Sequence, residues 1–209
     1  MGIPLSHFFC ISDLQQRLEN FTPSSIAQEL PEAAVLLALT ASEQEPEIIF
    51  TQRSAHLTSH AGQVAFPGGK KDPEDIDLYQ TALREAEEEI ALPRNSVQLL
   101  GQLSQVVSRQ GILVNPYIGL VEGEHELLAN EGELDAIFHV PVSHFLSTPP
   151  DCFDCIKHPG GALYIPCYFY DEFEIWGLSA MILSEFLEVG FDAGFDLWEK
   201  PADSKIRYR

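Results

Sequence analysis

The stretch GGKKDPEDIDLYQTALREAEEEI, residues 68–90, joins a glycine-containing loop to an acidic segment with helical spacing. Asp77 and Gln80 have the spacing of a capping box, so a helix is predicted over residues 78–90. Its apolar side chains fall on one stripe of the kind that docks a helix on a sheet, namely Tyr79, Ala82, Leu83, Ala86 and Ile90. The segment therefore predicts a helix packed against a sheet.

Three glutamates of this helix lie beside the apolar stripe, at the expected edge of the core. At about 100° per residue, Glu85, Glu88 and Glu89 share an arc of about 100°. Acidic runs are most often solvated helix faces, but Glu85 and Glu89 form an i,i+4 like-charge pair that costs a few tenths of a kcal/mol. Arg84, the nearby cation on the helix, cannot neutralise all three acids. Because hard divalent cations prefer carboxylate oxygens, the spacing favours a metal site.

The loop before the helix and the distribution of cations indicate a phosphate ligand. Gly68 and Gly69 permit a close approach of the backbone to a ligand. Half of the 12 lysines and arginines cluster in this part of the chain, namely Arg53, Lys70, Lys71, Arg84, Arg94 and Arg109. A sparse basic patch beside a carboxylate-bound metal suits a polyphosphate, since metal and cations share the phosphate charge.

Composition excludes several classes of protein. The chain has 209 residues, 12 Lys plus Arg against 32 Asp plus Glu, and a formal net charge of −20. Such an acidic protein repels nucleic-acid backbones and anionic membranes, so neither is expected as a partner. No window approaches the ~18 apolar residues of a membrane helix, and no signal-peptide pattern is present. Four cysteines are too few for a disulfide scaffold, and a cytoplasmic location is expected.

Periodicity elsewhere predicts a mixed sheet covered by helices. Helices are predicted at 11–20 and 175–190, and the segment 136–146 is expected to start extended and end helical. Strands are predicted at 33–41 and 47–53 (a hairpin), 97–107, 112–123 and 162–170. An ordered loop is expected over 54–77, and a mobile polar tail from about 198. Because strands and helices do not alternate regularly, an α/β fold with a mixed sheet is expected, in one domain over 1–209.

Residues 84–92 resemble the second half of the Nudix box, which reads R-E-U-x-E-E-x-G-U with U a bulky aliphatic residue. Ala86 is small for its U position. Ala91 stands where the family has a glycine that ends the helix with positive φ. Either this substitution costs on the order of 1 kcal/mol, or the helix ends differently. In the first half, Gly69 is shifted by one residue and Ile76 occupies the place of the first glutamate. Two neighbouring acids are candidates to replace it, Asp75 and Glu74.

Two further segments are similar to the coenzyme A pyrophosphatase branch of this family. Residues 49–69, with the pattern IFTQRS, Gly62 and FPGG, resemble the signature that precedes the box in that branch. Thr58 stands where the signature has a second arginine. Residues 175–180, IWGLSA, resemble the start of the branch's C-terminal helix.

The resemblance implies an α/β/α sandwich with a loop–helix–loop metal site for Mg²⁺ or Mn²⁺. It implies hydrolysis of coenzyme A or its thioesters to 3′,5′-ADP and a phosphopantetheine. By motif position, Glu85 and Glu89 would be the main metal ligands, Glu88 a third ligand or the base, and Arg84 the residue that orients them. The substrate would be bound by residues of the preceding segment, namely Arg53, His60, Gly68, Gly69 and Lys70. The alternatives are another nucleoside diphosphate derivative such as ADP-ribose or a dinucleotide, and a binding module without turnover.

Several other residues have a structural and a functional interpretation. His56 and His60 are both candidate phosphate contacts, but a loop histidine is more often a hydrogen-bonding scaffold. Of the two, His60 is counted among the substrate-binding residues. Glu133 lies where many family members present an extra acid to the metal, although a solvated loop glutamate fits equally well. Cys152, Cys155, His158 and Cys167 lack the tight paired spacing of structural zinc ligands, so free thiols in a loop are expected. Trp176 and Phe186 are expected in the core.

Overall fold

The computed structural model describes residues 10–42, 45–158, 160–202 and 204–208. Its helices are α1 (Ile11–Asn20), α2 (Leu78–Ile90), α3 (Val142–Ser147) and α4 (Gly177–Phe191). Its strands are β1 (Glu32–Thr40), β2 (Glu47–Arg53), β3 (Val64–Ala65), β4 (Gly68–Lys70), β5 (Val97–Gln102), β6 (Val106–Val107), β7 (Leu113–Val121), β8 (Leu134–Pro141), β9 (Cys152–His158), β10 (Gly161–Tyr170), β11 (Phe173–Ile175) and β12 (Ile206–Tyr208).

Strand β1 lies at the centre of the larger sheet. It pairs antiparallel with β2 in the register Ala38↔Ile49, which confirms the predicted hairpin pairing. It pairs parallel with β7 along its whole length. In the described residues the order is β3-β2-β1-β7-β5, with β4 also on β1, β6 on β7 and β8 on β2. The predicted mixed sheet is therefore confirmed.

Both faces of β1 are covered, because successive side chains of a strand point to opposite faces. Ala34, Leu36 and Ala38 pack in one apolar cluster with helix α2. Leu37 and Leu39 pack in another cluster with α1 and α4. Helices thus lie on both sides of the larger sheet, which confirms the expected α/β/α sandwich.

A smaller sheet with the order β11-β10-β9-β12 packs onto the second cluster through Ile165 and Tyr168. The predicted strand at 162–170 is present as β10, but β9, β11 and β12 were not predicted. Cys152 and Cys155 are buried in β9, so the expectation of thiols in a loop is wrong. The mobile tail from 198 is also wrong, because β12 pairs parallel with β9.

The remaining differences concern short strands. The expected loop over 54–77 contains β3 and β4, which pair with β2 and β1 respectively. The strand predicted at 97–107 is divided into β5 and β6. The helices predicted at 11–20, 78–90 and 175–190 are present, and the segment 136–146 passes from β8 into α3 as expected. In the described chain, no helix has the length and apolar character needed to cross a membrane.

Candidate active site

Helix α2 begins and ends where local signals predict. The Asp77 side chain accepts a hydrogen bond from the Gln80 N–H at 2.8 Å, which caps the first turn. At the other end, Ala91 has φ 56° and ψ 28°, and its N–H donates to the Glu87 carbonyl. Ala91 therefore adopts the left-handed conformation that favours glycine, as expected for the position of the family's glycine.

The three glutamates of α2 differ in exposure, as their arc at the edge of the core predicts. The Glu89 side chain is 4% exposed, that of Glu85 18% and that of Glu88 54%. The acids therefore form a row from the protein interior to solvent. Glu89 is the buried end of this row, and Glu88 is its exposed end.

Arg84 lies at the centre of the acid cluster. Its Nε and Nη2 each donate to Asp75 at 3.0 Å. Its Nη1 donates to Glu85 at 3.0 Å and to Glu88 at 3.2 Å. Of the two candidates for the missing first glutamate, Asp75 is therefore the residue that holds Arg84. The guanidinium beside Asp75 keeps the pKa of that carboxyl well below its usual range. Arg84 thus connects the loop before the helix to two of the three glutamates.

Glu89 is held separately from the other two glutamates. Its Oε2 accepts a hydrogen bond from the Gly68 N–H at 3.1 Å, and its Oε1 lies 3.4 Å from Nη1 of Arg53. Burial raises the pKa of Glu89 to about 7, and the charges of Glu85 and Glu133 act in the same direction. The hydrogen bond from Gly68 and the positive charge of Arg53 lower the pKa of Glu89, but they only partly offset the effect of burial.

The glycines of β4 allow a close approach to α2. Gly69 pairs with Ala34 of β1, and a Cβ on Gly69 would overlap the carboxylate of Glu85. A Cβ on Gly68 would overlap the backbone of Ala34 and Val35. Gly68 therefore leaves room for the backbone of β1, and Gly69 leaves room for the carboxylate of Glu85 in its present position.

A cavity of about 440 Å³ opens beside Glu89. Of the predicted substrate-binding residues, Arg53, His60, Gly68, Gly69 and Lys70 all line it, together with Arg109. Arg53 also has a buried Nε without a hydrogen-bond partner among the described residues. One part of the cavity wall is therefore cationic and adjoins the acid cluster.

The rest of the wall is largely apolar and was not predicted. It is formed by residues of β6, β7, β9, β10 and α4, including Val107, Ile112, Val114, Ile156, Ile165, Leu178 and Met181. Trp176 also lines the cavity and is partly exposed, so its assignment to the core is wrong, whereas Phe186 is fully buried as expected. Asp154 is a buried acid in the same wall. Sequence signals for these residues are weak, because the wall combines segments distant in the chain.

Other candidate residues lie in different positions. His60 has φ 56° and its Nδ1 lies 2.7 Å from Oε1 of Gln63, so it scaffolds the loop while lining the cavity. His56 is not part of the cavity lining. The Glu133 carbonyl accepts a hydrogen bond from the Ser54 N–H, and the negative charge of Glu133 raises the pKa of Glu85 and Glu89. Glu133 therefore lies close to the acid row.

The donor chemistry of the acid row fits a hard divalent cation. Across the described residues, no three His, Cys, Asp or Glu side chains are already gathered as a metal site. Arginines contact the row, with Arg84 paired to Glu85 and Glu88, and Arg53 beside Glu89. Burial raises the pKa of Glu85 as well as that of Glu89. A cation would relieve this cost of burying charged carboxylates, and all three donors are hard oxygens.

Comparisons with known proteins identify the family of this chain. The family model of the NUDIX domain matches residues 30–152. An uncharacterized Nudix hydrolase NudL from Yersinia enterocolitica is 41% identical over 182 residues, covering 87% of this chain and 91% of the relative. A protein of the same name from Photorhabdus laumondii is 42% identical over 163 residues, covering 78% and 87%.

Among solved structures, the fold is similar to that of a MutT/nudix family protein from Enterococcus faecalis. The TM-score is 0.52 at 14% identity, covering 89% of this chain and 71% of the other. At that identity the likeness concerns the fold alone. Together, the matched family model and the two relatives place the chain in the Nudix hydrolase family, whose members hydrolyse phosphoric anhydrides.

Proposed function

We propose that this protein is a metal-dependent pyrophosphohydrolase that cleaves the diphosphate of coenzyme A or its thioesters. The products would be 3′,5′-ADP and a phosphopantetheine. The observation that carries the proposal is the divided cavity, with a cationic wall beside the acid row and an apolar wall formed by β6, β7, β9, β10 and α4. A charged diphosphate with a long, less polar arm matches both parts of this wall.

Mg²⁺ or Mn²⁺ is the proposed metal, held by Glu85 and Glu89 with Glu88 as third ligand. Nudix hydrolases generally use divalent metal ions, and these two cations accept carboxylate and water oxygens. When bound, the metal would activate water and share the charge of the diphosphate. The raised pKa of the buried Glu89 and of the half-buried Glu85 supports this assignment, since neighbouring positive charge would favour their ionised form.

The protein's own residues would orient these groups. Arg84 fixes Glu85 and Glu88 relative to the loop through Asp75. Glu88 is the most exposed glutamate of the row, so it is also the candidate base that takes a proton from water. The Gly68 N–H fixes one oxygen of Glu89.

Cations of the cavity wall would bind the phosphates. Arg53 lines the cavity, and its buried Nε has no hydrogen-bond partner in the described chain. Lys70 and Arg109 line the cavity, and neither side chain has a hydrogen bond or ion pair within the described residues. Because Arg53 is already paired with Glu89, Lys70 and Arg109 are better candidates for the 3′-phosphate of coenzyme A than Arg53 is. His60, Gly68 and Gly69 would complete the binding surface.

The substrate assignment is tested by comparing kcat/KM for coenzyme A, its 3′-dephospho form and ADP-ribose under one metal and salt condition. We expect coenzyme A to be preferred over ADP-ribose by about tenfold or more, because a polar ribose leaves the apolar wall unfilled. A preference for ADP-ribose would contradict the substrate but not the reaction class. Equal values with and without the 3′-phosphate would remove only the proposed phosphate contact.

The metal site is tested by calorimetric titration with Mn²⁺. The wild type should bind the metal, and Glu85→Gln/Glu89→Gln should bind it at least about tenfold more weakly, because two hard anionic ligands are lost. Glu87→Gln is the matched control, since Glu87 lies on the same helix but is paired with Arg94. Equal affinity of the wild type and the double variant would place the metal elsewhere.

A further inference from the structure

The loop between β2 and β3 (residues 54–63) carries three residues of the cavity wall, Ser59, His60 and Gln63. Its two ends are joined at Arg53, whose N–H donates to the Gln63 carbonyl at 2.9 Å and whose carbonyl accepts a bond from the Gly62 N–H at 3.0 Å. Most residues between these ends are exposed, so little packing fixes the loop. Its position beside the cavity therefore depends on hydrogen bonds to the rest of the protein.

A β-bulge in β8 places one carboxylate against the start of this loop. The register of β2 with β8 shifts between Gln52 and Arg53, which leaves Asp135 without a partner residue on β2. A bulge of this kind redirects the side chain of the extra residue. Oδ2 of Asp135 accepts a hydrogen bond from the Ala55 N–H at 2.9 Å. That bond lowers the pKa of Asp135, and the Ser54 side chain acts in the same direction.

The bond from Ala55 to Asp135 is the main attachment of the loop. Within the described chain, it is the only hydrogen bond that joins residues 55–63 to any residue outside 52–63. The residue before it, Ser54, is buried and donates its N–H to the Glu133 carbonyl at 2.7 Å. The loop is thus anchored where it leaves β2, and beyond this point one carboxylate holds it.

We propose that Asp135 is a positioning residue for substrate binding, acting through the Ala55 N–H. By holding the start of the β2–β3 loop, it keeps Ser59 and His60 in the cavity wall, close in the chain to the cationic Arg53. Asp135 does not itself line the cavity, so its contribution passes through the loop. The inference rests on the proposed function, because it requires that the substrate occupies this cavity.

Loss of this attachment should impair binding rather than the chemical step. A loop that is mobile in the free protein must be ordered when the substrate binds, and this ordering lowers affinity. The acid row is held independently of the loop. In the described residues, Glu85 and Glu88 are paired with Arg84, and Glu89 is bonded to Gly68 and Arg53.

Steady-state kinetics of two substitutions at one position test the proposal. Asp135→Ala removes the acceptor and should raise KM for coenzyme A by about fivefold, with kcat within about twofold of wild type. Asp135→Asn keeps an oxygen that can accept the Ala55 N–H, so its KM should stay within about twofold of wild type. Glu131→Ala is the matched control, since it removes an exposed carboxylate from the turn before β8. It should leave both constants unchanged.

Other roles of Asp135 give different results. If its negative charge acted on the substrate or metal, Asp135→Asn would change KM as much as Asp135→Ala does. If it served only the stability of the fold, Asp135→Ala would lower the apparent kcat without raising KM. Either outcome would overturn the inference. Thermal melting of each variant establishes the folded fraction to which the kinetic constants refer.

A second measurement needs no substrate. By NMR relaxation of the metal-free protein, the backbone of residues 55–61 should be less ordered in Asp135→Ala than in wild type and unchanged in Asp135→Asn. Strand β1 should be unchanged in both variants. Failure of the wild type to cleave coenzyme A would contradict the proposed function alone, and the compound that it does cleave would replace coenzyme A in the kinetics. Unchanged loop order in Asp135→Ala would overturn the inference, whatever the substrate.

Discussion

Gly69→Ala should separate catalysis from folding. Gly69 does not have a positive φ, so an alanine at this position meets no conformational strain. Its Cβ, however, would lie 2.5 Å from Oε2 of Glu85 and would overlap the rest of that carboxylate. The flexible end of the Glu85 side chain can move away from this Cβ, so the backbone of the sheet does not have to shift. The substitution therefore displaces a proposed metal ligand without removing it.

The size of the effect follows from that contact. Ordinary van der Waals contact begins at 3.4 Å, so the Glu85 carboxylate must move by roughly 1 Å. A misplacement of about 1 Å in an active site costs about 10²-fold in rate, equivalent to roughly 2.7 kcal/mol in the barrier. For stability, glycine-to-alanine gains about 0.4–1 kcal/mol from the unfolded chain. The partial loss of the Arg84–Glu85 contact offsets this gain, so stability should stay within about 1 kcal/mol of wild type.

The measurements are kcat/KM for coenzyme A and urea denaturation in the absence of metal. Gly68→Ala is the matched control, because its Cβ would meet backbone atoms, including Val35 Cα at 2.7 Å. That variant should lose about 1–3 kcal/mol of stability. Wild-type turnover of Gly69→Ala would refute the role of Glu85. Unfolding of Gly69→Ala to the same extent as Gly68→Ala would refute the steric argument. If the wild type prefers another nucleoside diphosphate derivative, that compound replaces coenzyme A in the assay.

Three further predictions concern helix α2 and the residues that flank it. Glu89→Gln should lower kcat by about 10²-fold or more, because a metal ligand is lost. The folded-state pKa of Glu89 is raised to about 7, so metal-free wild type loses stability as pH rises through 7. In urea denaturation with a chelator, the free energy of unfolding of Glu89→Gln, measured relative to wild type, should thus increase by on the order of 1–3 kcal/mol from pH 5 to pH 8. A difference that does not change with pH would contradict this. Ala91→Gly should raise the melting temperature by about 2–4 °C with unchanged activity, since it relieves the left-handed alanine. Asp75→Asn should lower kcat about tenfold by releasing Arg84, while the exposed neighbour Glu74→Gln should have no effect; equal effects would refute the assignment of Asp75.

The features that were predicted correctly from the sequence depend on local signals. Asp77 and Gln80 are three residues apart, so the start of α2 follows from capping alone. The arc of the three glutamates follows from helical periodicity, and their position at the edge of the core follows from the neighbouring apolar stripe. The hairpin of β1 and β2 depends on two adjacent apolar runs. In each case the interacting residues are close in the chain.

The features that were missed depend on distant partners. Strand β9 has the sequence CFDCIKH, and the charge of Asp154 argues against a buried strand. Arg207, 53 residues later, donates two hydrogen bonds to this carboxylate, which lowers the cost of burying it. Strands β9 and β12 can thus be predicted only when their pairing with each other is considered. The pairing of Arg53 with Glu89, 36 residues apart, was missed for the same reason.

The distribution of arginines explains how so acidic a protein could bind a diphosphate. In the described residues, five arginines are paired with the protein's own carboxylates, namely Arg17, Arg53, Arg84, Arg94 and Arg207. Arginine suits this use because its planar group holds carboxylates in a fixed geometry. Lys70 and Arg109 line the cavity, and neither is paired with a carboxylate of the described residues. Two positive charges do little to offset a net charge of −20. The proposed metal would therefore be needed for attraction of the diphosphate as well as for activation of water, so substrate affinity and turnover should depend on the metal together.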